Sequence, residues 1–140
     1  MSRHKQQGTT NLKRVITFGT FDILHVGHLS ILKRAAELGE HLTVGISTDA
    51  LNISKKGRAP VYPEAQRLAL VAALRCVDAT FLEHSLEAKR NYVREHGAEV
   101  LVMGDDWAGH FDDLSDLCKV IYLPRTPAIS TTAVIEMIRR

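Results

Sequence analysis

Short, nearly continuous apolar runs alternate along this chain with stretches whose apolar residues recur every three or four positions. Runs at residues 14–18 (RVITF), 41–47 (HLTVGIS), 77–82 (VDATFL), 99–104 (EVLVMG) and 119–123 (KVIYL) predict five buried strands. Helical spacing over 29–36 and 63–75 predicts two amphipathic helices, and a charged helix is expected over 86–96 and a closing one over 132–140. Gly39 supplies a helix stop, Pro63 a first helical residue, Glu64 and Arg75 the first and last turns, and a Ser/Thr cluster caps the last helix. Residues 48–60 are polar with three cations, so they read as a long connection leaving the second strand. The alternation predicts an α/β domain with a five-stranded parallel sheet flanked by helices.

Composition narrows the function classes. A chain of 140 residues with 45% hydrophobic content fits one core, expected over 13–140 and preceded by a polar, flexible extension over 1–12. Net charge is +2 and the basic residues are interleaved with acidic ones, which argues against a nucleic-acid partner. No stretch is long enough for a membrane span, and the N-terminus lacks the apolar core of a secretory signal. Cys76 and Cys118 have neither metal-ligand spacing nor the numbers for a disulfide framework, so reduced thiols and a cytoplasmic location are expected.

The chemistry concentrates where the first strand hands over to the first helix, in the stretch TFGTFDILHVGH over residues 17–28. A helix start presents unpaired N–H groups and a positive dipole end, which favour phosphate. His25 and His28 share one side of a turn, and Gly27 allows close approach of a ligand to the backbone. Two imidazoles with free amides would make a phosphate cradle; surface histidines that merely cap the helix are the alternative. In an open parallel sheet, ligands bind beyond the carboxyl ends of the strands. His25 and His28 follow strand one, residues 55–58 follow strand two, 105–107 strand four and 125–130 strand five, so four polar groups converge on one edge.

Gly-Thr-Phe-Asp followed by His25-x-Gly27-His28 resembles the nucleotidyltransferase superfamily, in its cytidylyltransferase branch. Residues 102–107 (VMGDDW) look like the strand-four segment of cytidylyltransferases of the glycerol-3-phosphate type, and residues 125–132 (RTPAISTT) are similar to that family's R-T-x-G-I-S-T signature. The resemblance runs from Val15 to about Glu136. It implies a Rossmann-like fold and attack of an acceptor phosphate, glycerol 3-phosphate first, on the α-phosphorus of CTP carrying Mg²⁺. It also implies a homodimer, and no metal cage of protein ligands is visible.

Carried over by position, the resemblance gives His25, His28, Lys55 and Arg125 to catalysis. Gly19, Thr20, Phe21, Gly27, Arg58, Asp106, Thr126, Ala128, Ile129, Ser130, Thr131 and Thr132 would surround the nucleotide. Asp22, Lys55, Arg67 and Lys89 would face the acceptor, with a surface ion pair to Glu64 as the other reading of Arg67. Two positions depart from the family: Ala128 replaces a glycine, and Lys55-Lys56-Gly57-Arg58 is one residue out of step with the usual lysine pair, leaving Lys56 or Arg58 as its second member. The competing readings are adenylyl transfer (FAD synthetase or a sugar-phosphate adenylyltransferase), cytidylyl transfer to phosphoethanolamine, and a nucleotide-binding module without catalysis.

Overall fold

Side chains alternate across a strand, and this splits the core into two layers on either face of one sheet. The computed structural model describes residues 13–125 and 130–140. Strands β1 (Arg14–Gly19), β2 (His41–Ser47), β3 (Ala79–Glu83), β4 (Val100–Gly104) and β5 (Lys119–Leu123) lie in the order β3-β2-β1-β4-β5, every neighbouring pair parallel. Val15, Val100 and Val102 face one layer, with Leu32, Ala35 and Ala36 of helix α1 (Val26–Ala36) and Val71 of α3 (Glu64–Ala72). Ile16, Phe18, Leu101 and Met103 face the other, with Val93 of α4 (Lys89–Glu95) and Leu114. The chain order reverses between β1 and β4, so the crevice for a ligand opens beyond the ends of these two strands.

The five strands and the parallel sheet stand as the apolar runs predict. The polar connection over 48–60 does not: it contains helix α2 (Asp49–Lys56). Thr48 Oγ1 accepts the Leu51 N–H at 3.0 Å, and Gly57 ends the helix at φ 76°, a left-handed geometry that suits glycine. Among the eight residues of α2 only Ala50, Leu51 and Ile53 are apolar, and this polar composition makes the run read as a connection. Pro63 is the N-cap of α3 rather than its first turn, and α3 ends before Arg75. Short 3₁₀ turns follow β4 at Asp105–Trp107 and Asp112–Asp116. The last helix is α5 (Thr131–Arg139). Residues 1–12, expected as an extension, lie outside the described residues, as do Thr126, Ala128 and Ile129.

Candidate active site

The two motif histidines build the start of α1 between them. His25 is the N-cap; its Nδ1 accepts the Gly27 N–H at 3.1 Å, while His28 Nδ1 accepts the His25 N–H at 3.1 Å. This is a capping box made from imidazoles, where serine and glutamate are usual. Capping and ligand contact are therefore complementary uses of the same rings. An Nδ1 that accepts a backbone N–H carries no proton, so each neutral ring keeps its proton on Nε2 and presents a donor on its outer edge. The rings stack at 3.8 Å, and His25 Nε2 is buried without a hydrogen-bond partner among the described residues. A buried donor left unmatched is a place for an acceptor, such as a phosphate oxygen or a water.

Both rings are held neutral. Burial pushes His28 down to about 4, helped by its stacked neighbour His25 and opposed by the Asp22 charge. Burial also lowers His25, and the positive charge of Arg125 adds to it. Arg125, at the exit of β5, thus acts on both imidazoles, and it meets Asp106 of the β4 exit at 3.8 Å. The carboxyl ends of β1, β4 and β5 are thereby brought together around two N–H donors and a guanidinium.

A second cluster surrounds the ends of β2 and β3. Lys55, in the last turn of α2, has its ammonium disfavoured by burial and supported by Glu83. Glu83 is itself paired with Lys89 at 2.5 Å. Lys56 stands beside Lys55 in that turn, and Arg58 follows the Gly57 cap as an exposed residue. Beneath these groups, Asn52 Nδ2 donates to Ser47 Oγ at 2.9 Å and to the Thr48 carbonyl at 2.8 Å, and Thr20 Oγ1 donates to Asn52 Oδ1 at 3.0 Å.

Residues 16–137 match the family described as Cytidylyltransferase-like. The chain belongs to that family. It is 48% identical over 127 residues to a glycerol-3-phosphate cytidylyltransferase of Bacillus subtilis, covering 91% of this chain and 98% of that one. It is 30% identical over 141 residues to an FAD synthase of Pyrococcus horikoshii, covering 94% and 95%. Among solved structures, a lipopolysaccharide core biosynthesis protein of Thermoplasma volcanium shares 29% identity with a TM-score of 0.73, over 83% of this chain and 99% of that one.

Within this cytidylyltransferase-like fold, three residues expected at the acceptor have partners within the protein. Arg67 is fully buried, and its guanidinium donates to the carbonyls of Tyr62, Thr20 and Ser47 and to Asp49 Oδ1. It pairs with Asp49, not Glu64, because Glu64 caps the start of α2 by accepting the Asp49 N–H at 2.9 Å. The Asp22 carboxylate, 8% exposed, accepts the N–H groups of Val61 and Tyr62. Lys89 is 4% exposed, its Nζ held by Glu83 and lying 3.8 Å from the Phe18 ring centroid. All three charges are satisfied by partners within the protein and largely covered.

Several nucleotide-side positions are also partly used by the protein. The Gly27 amide is spent on His25, and the Ser130 hydroxyl accepts the Ala133 N–H to cap α5. The Thr131 hydroxyl donates to the Asp22 carbonyl at 2.8 Å. Gly19 has a steric reason to lack a side chain: a Cβ there would stand 2.8 Å from the Phe21 ring, which folds back at φ 54°. Phe21 in turn meets the His28 ring edge-on at 5.5 Å. Thr132 is exposed at the head of α5. Asn52 and Ser47 are the residues that sequence reasoning missed. The Ser47-Thr48-Asp49 run, closed by Gly57, is the helix start-and-stop signal that would have found them.

A pH dependence follows from His28. Its folded value of about 4 lies below an ordinary 6.5, so between the two the unfolded chain binds more protons than the folded one. Stability therefore rises with pH across that window and is lost as pH falls toward 4. Urea midpoints measured from pH 4.5 to 7 should climb, and His28→Asn should flatten the climb. An identical slope in wild type and variant would contradict a neutral, buried His28.

Proposed function

We propose that this protein transfers CMP from CTP to glycerol 3-phosphate, giving CDP-glycerol and pyrophosphate. The observation that carries this reading is the imidazole pair, whose Nδ1 atoms cap α1 and whose Nε2–H edges remain for a phosphate beside Arg125. A binding module has no need for two donors held neutral at a helix start. Identity of 48% over 127 residues and 98% of the length of a glycerol-3-phosphate cytidylyltransferase, against FAD synthases at 46% over only 99 residues and 60% of the relative's length or at 30% over 141 residues, supports CTP and a small phosphorylated acceptor over ATP and a flavin.

In the reaction, an acceptor phosphate oxygen attacks the α-phosphorus of CTP. The new P–O bond forms as the bond from the α-phosphorus to the bridging oxygen breaks, and pyrophosphate leaves with that electron pair. Charge builds on the α-phosphate oxygens and the departing group, so fixed donors suffice and no covalent nucleophile is required. His25 and His28 donate from Nε2, Arg125 supplies positive charge at the β5 exit, and Lys55 approaches from the end of α2. The donors present suit anions rather than a bare cation, so a divalent ion, Mg²⁺, would arrive on the nucleotide and neutralise the triphosphate.

No helix among the described residues is long and apolar enough to cross a membrane. A cytoplasmic homodimer fits the family resemblance and the exposure of Ala65, Ala69, Leu70, Ala72 and Ala73 along α3. Incubation with CTP, Mg²⁺ and glycerol 3-phosphate should give CDP-glycerol and pyrophosphate in equal amounts by ³¹P NMR. Hydrolysis of CTP without a CDP-alcohol, or no turnover, would count against it.

A further inference from the structure

The peptide segment Val61–Tyr62, which closes the connection from the cationic end of α2 to α3, is gripped from two sides by buried charges. From the turn after β1, the Asp22 carboxylate accepts the Val61 N–H at 2.7 Å and the Tyr62 N–H at 2.9 Å. From α3, Arg67 Nε donates to the Tyr62 carbonyl at 2.9 Å. The same guanidinium reaches the Thr20 carbonyl at 2.9 Å, the Ser47 carbonyl at 2.7 Å and Asp49 Oδ1 at 2.7 Å. One cation thus joins the exits of β1 and β2, the start of α2 and the end of the cationic connection.

The backbone around Asp22 needs such a restraint. Its neighbours Phe21 and Ile23 hold φ of 54° and 47°, a left-handed conformation that costs a residue with a side chain on the order of 1–2 kcal/mol, and Ile23 is β-branched. Strained backbone persists when surrounding contacts over-determine it. Here the contacts are the two N–H groups on the carboxylate and the Thr131 hydroxyl on the Asp22 carbonyl. Asp22 therefore touches the connection after α2 and the head of α5 while sitting three residues before His25.

We infer that Asp22 and Arg67 form a clamp on Val61–Tyr62 that sets the cationic end of α2 against the histidine loop, as positioning residues that never touch the acceptor. The inference rests on the proposed phosphate-transfer reading for its kinetic consequence, but not for its geometry. A shared clamp behaves as one unit: once either jaw is lost, removing the other costs little more.

The test compares Asp22→Asn, Arg67→Gln and the double variant, with Arg67→Lys as a variant that keeps the buried charge. Each single change should lower kcat by about 10²-fold, and the double should fall no more than about threefold further, with KM for glycerol 3-phosphate within about threefold of wild type. Arg67→Lys, with one point charge for a four-bond fork, should lie between wild type and Arg67→Gln. Amide hydrogen exchange at Val61 and Tyr62, read without substrate, should accelerate at least about tenfold in every single variant. Losses that multiply, an acceptor KM that rises tenfold at unchanged kcat, or unchanged exchange at these two amides would overturn the clamp. If wild type itself fails to turn over CTP with glycerol 3-phosphate, the functional reading falls and the exchange rates alone decide the clamp.

Discussion

Replacing His28 with alanine is expected to lower kcat by about 10²-fold or more while leaving CTP binding comparatively intact, as for loss of one donor to transition-state charge. The ring has two separable tasks, and two further substitutions divide them. In His28→Asn, the amide oxygen stands near the Nδ1 position and can still accept the His25 N–H, keeping the cap that now spans 3.1 Å. It offers nothing at Nε2, so kcat should fall as far as in alanine while stability stays close to wild type. His28→Gln instead places an amide N–H near the Nε2 position and gives up the cap, which should retain more activity at lower stability. If His28→Asn turned over at a near-normal rate, the ring would matter only as a helix cap.

The Glu83–Lys89 pair carries the second large effect, this time on stability. Both residues are buried, at 2% and 4% exposure, with the ammonium over the Phe18 ring. Burial lowers the Lys89 pKa, and the charge of Glu83 and its hydrogen bond oppose that shift. Lys89→Ala takes from the buried Glu83 carboxylate the cation that hydrogen-bonds it, leaving only the charge of Lys55 nearby, and should cost about 3–5 kcal/mol, lowering Tm by roughly 10 °C or more. Lys89→Met combined with Glu83→Leu removes both charges and should recover most of that loss, because the desolvation cost disappears with the pair. A Lys89→Ala protein as stable as wild type would show that the pair is not held in a dry environment.

The strands were legible because buried parallel strands are apolar on both faces: residues 14–18 and 99–104 supply the two core layers alternately. The histidine site was legible for a related reason, since parallel connections force His25, His28, Asp106 and Arg125 to one edge. Helix α2 was hidden because five of its eight residues are polar or charged, although Thr48 and Gly57 marked both of its ends. The charged residues were the hardest to place. Sequence shows that Asp22, Arg67 and Lys89 are charged but not which way each side chain turns. All three turned inward, to backbone amides, to backbone carbonyls with Asp49, and to Glu83. Arg67 was expected either at the acceptor or on the surface with Glu64, and full burial with Asp49 as its partner overturns the surface pair.

If the imidazole pair and its surrounding cations transfer CMP to a small phosphorylated alcohol, as proposed, the preference among acceptors should show it. Steady-state kinetics across a panel of acceptors, each with CTP and with ATP, test it most directly. With CTP, kcat/KM for glycerol 3-phosphate should exceed that for phosphoethanolamine, phosphocholine and FMN by at least about tenfold, or roughly 1.4 kcal/mol. If FMN with ATP proves the best pair instead, both the base and the acceptor assigned here are wrong.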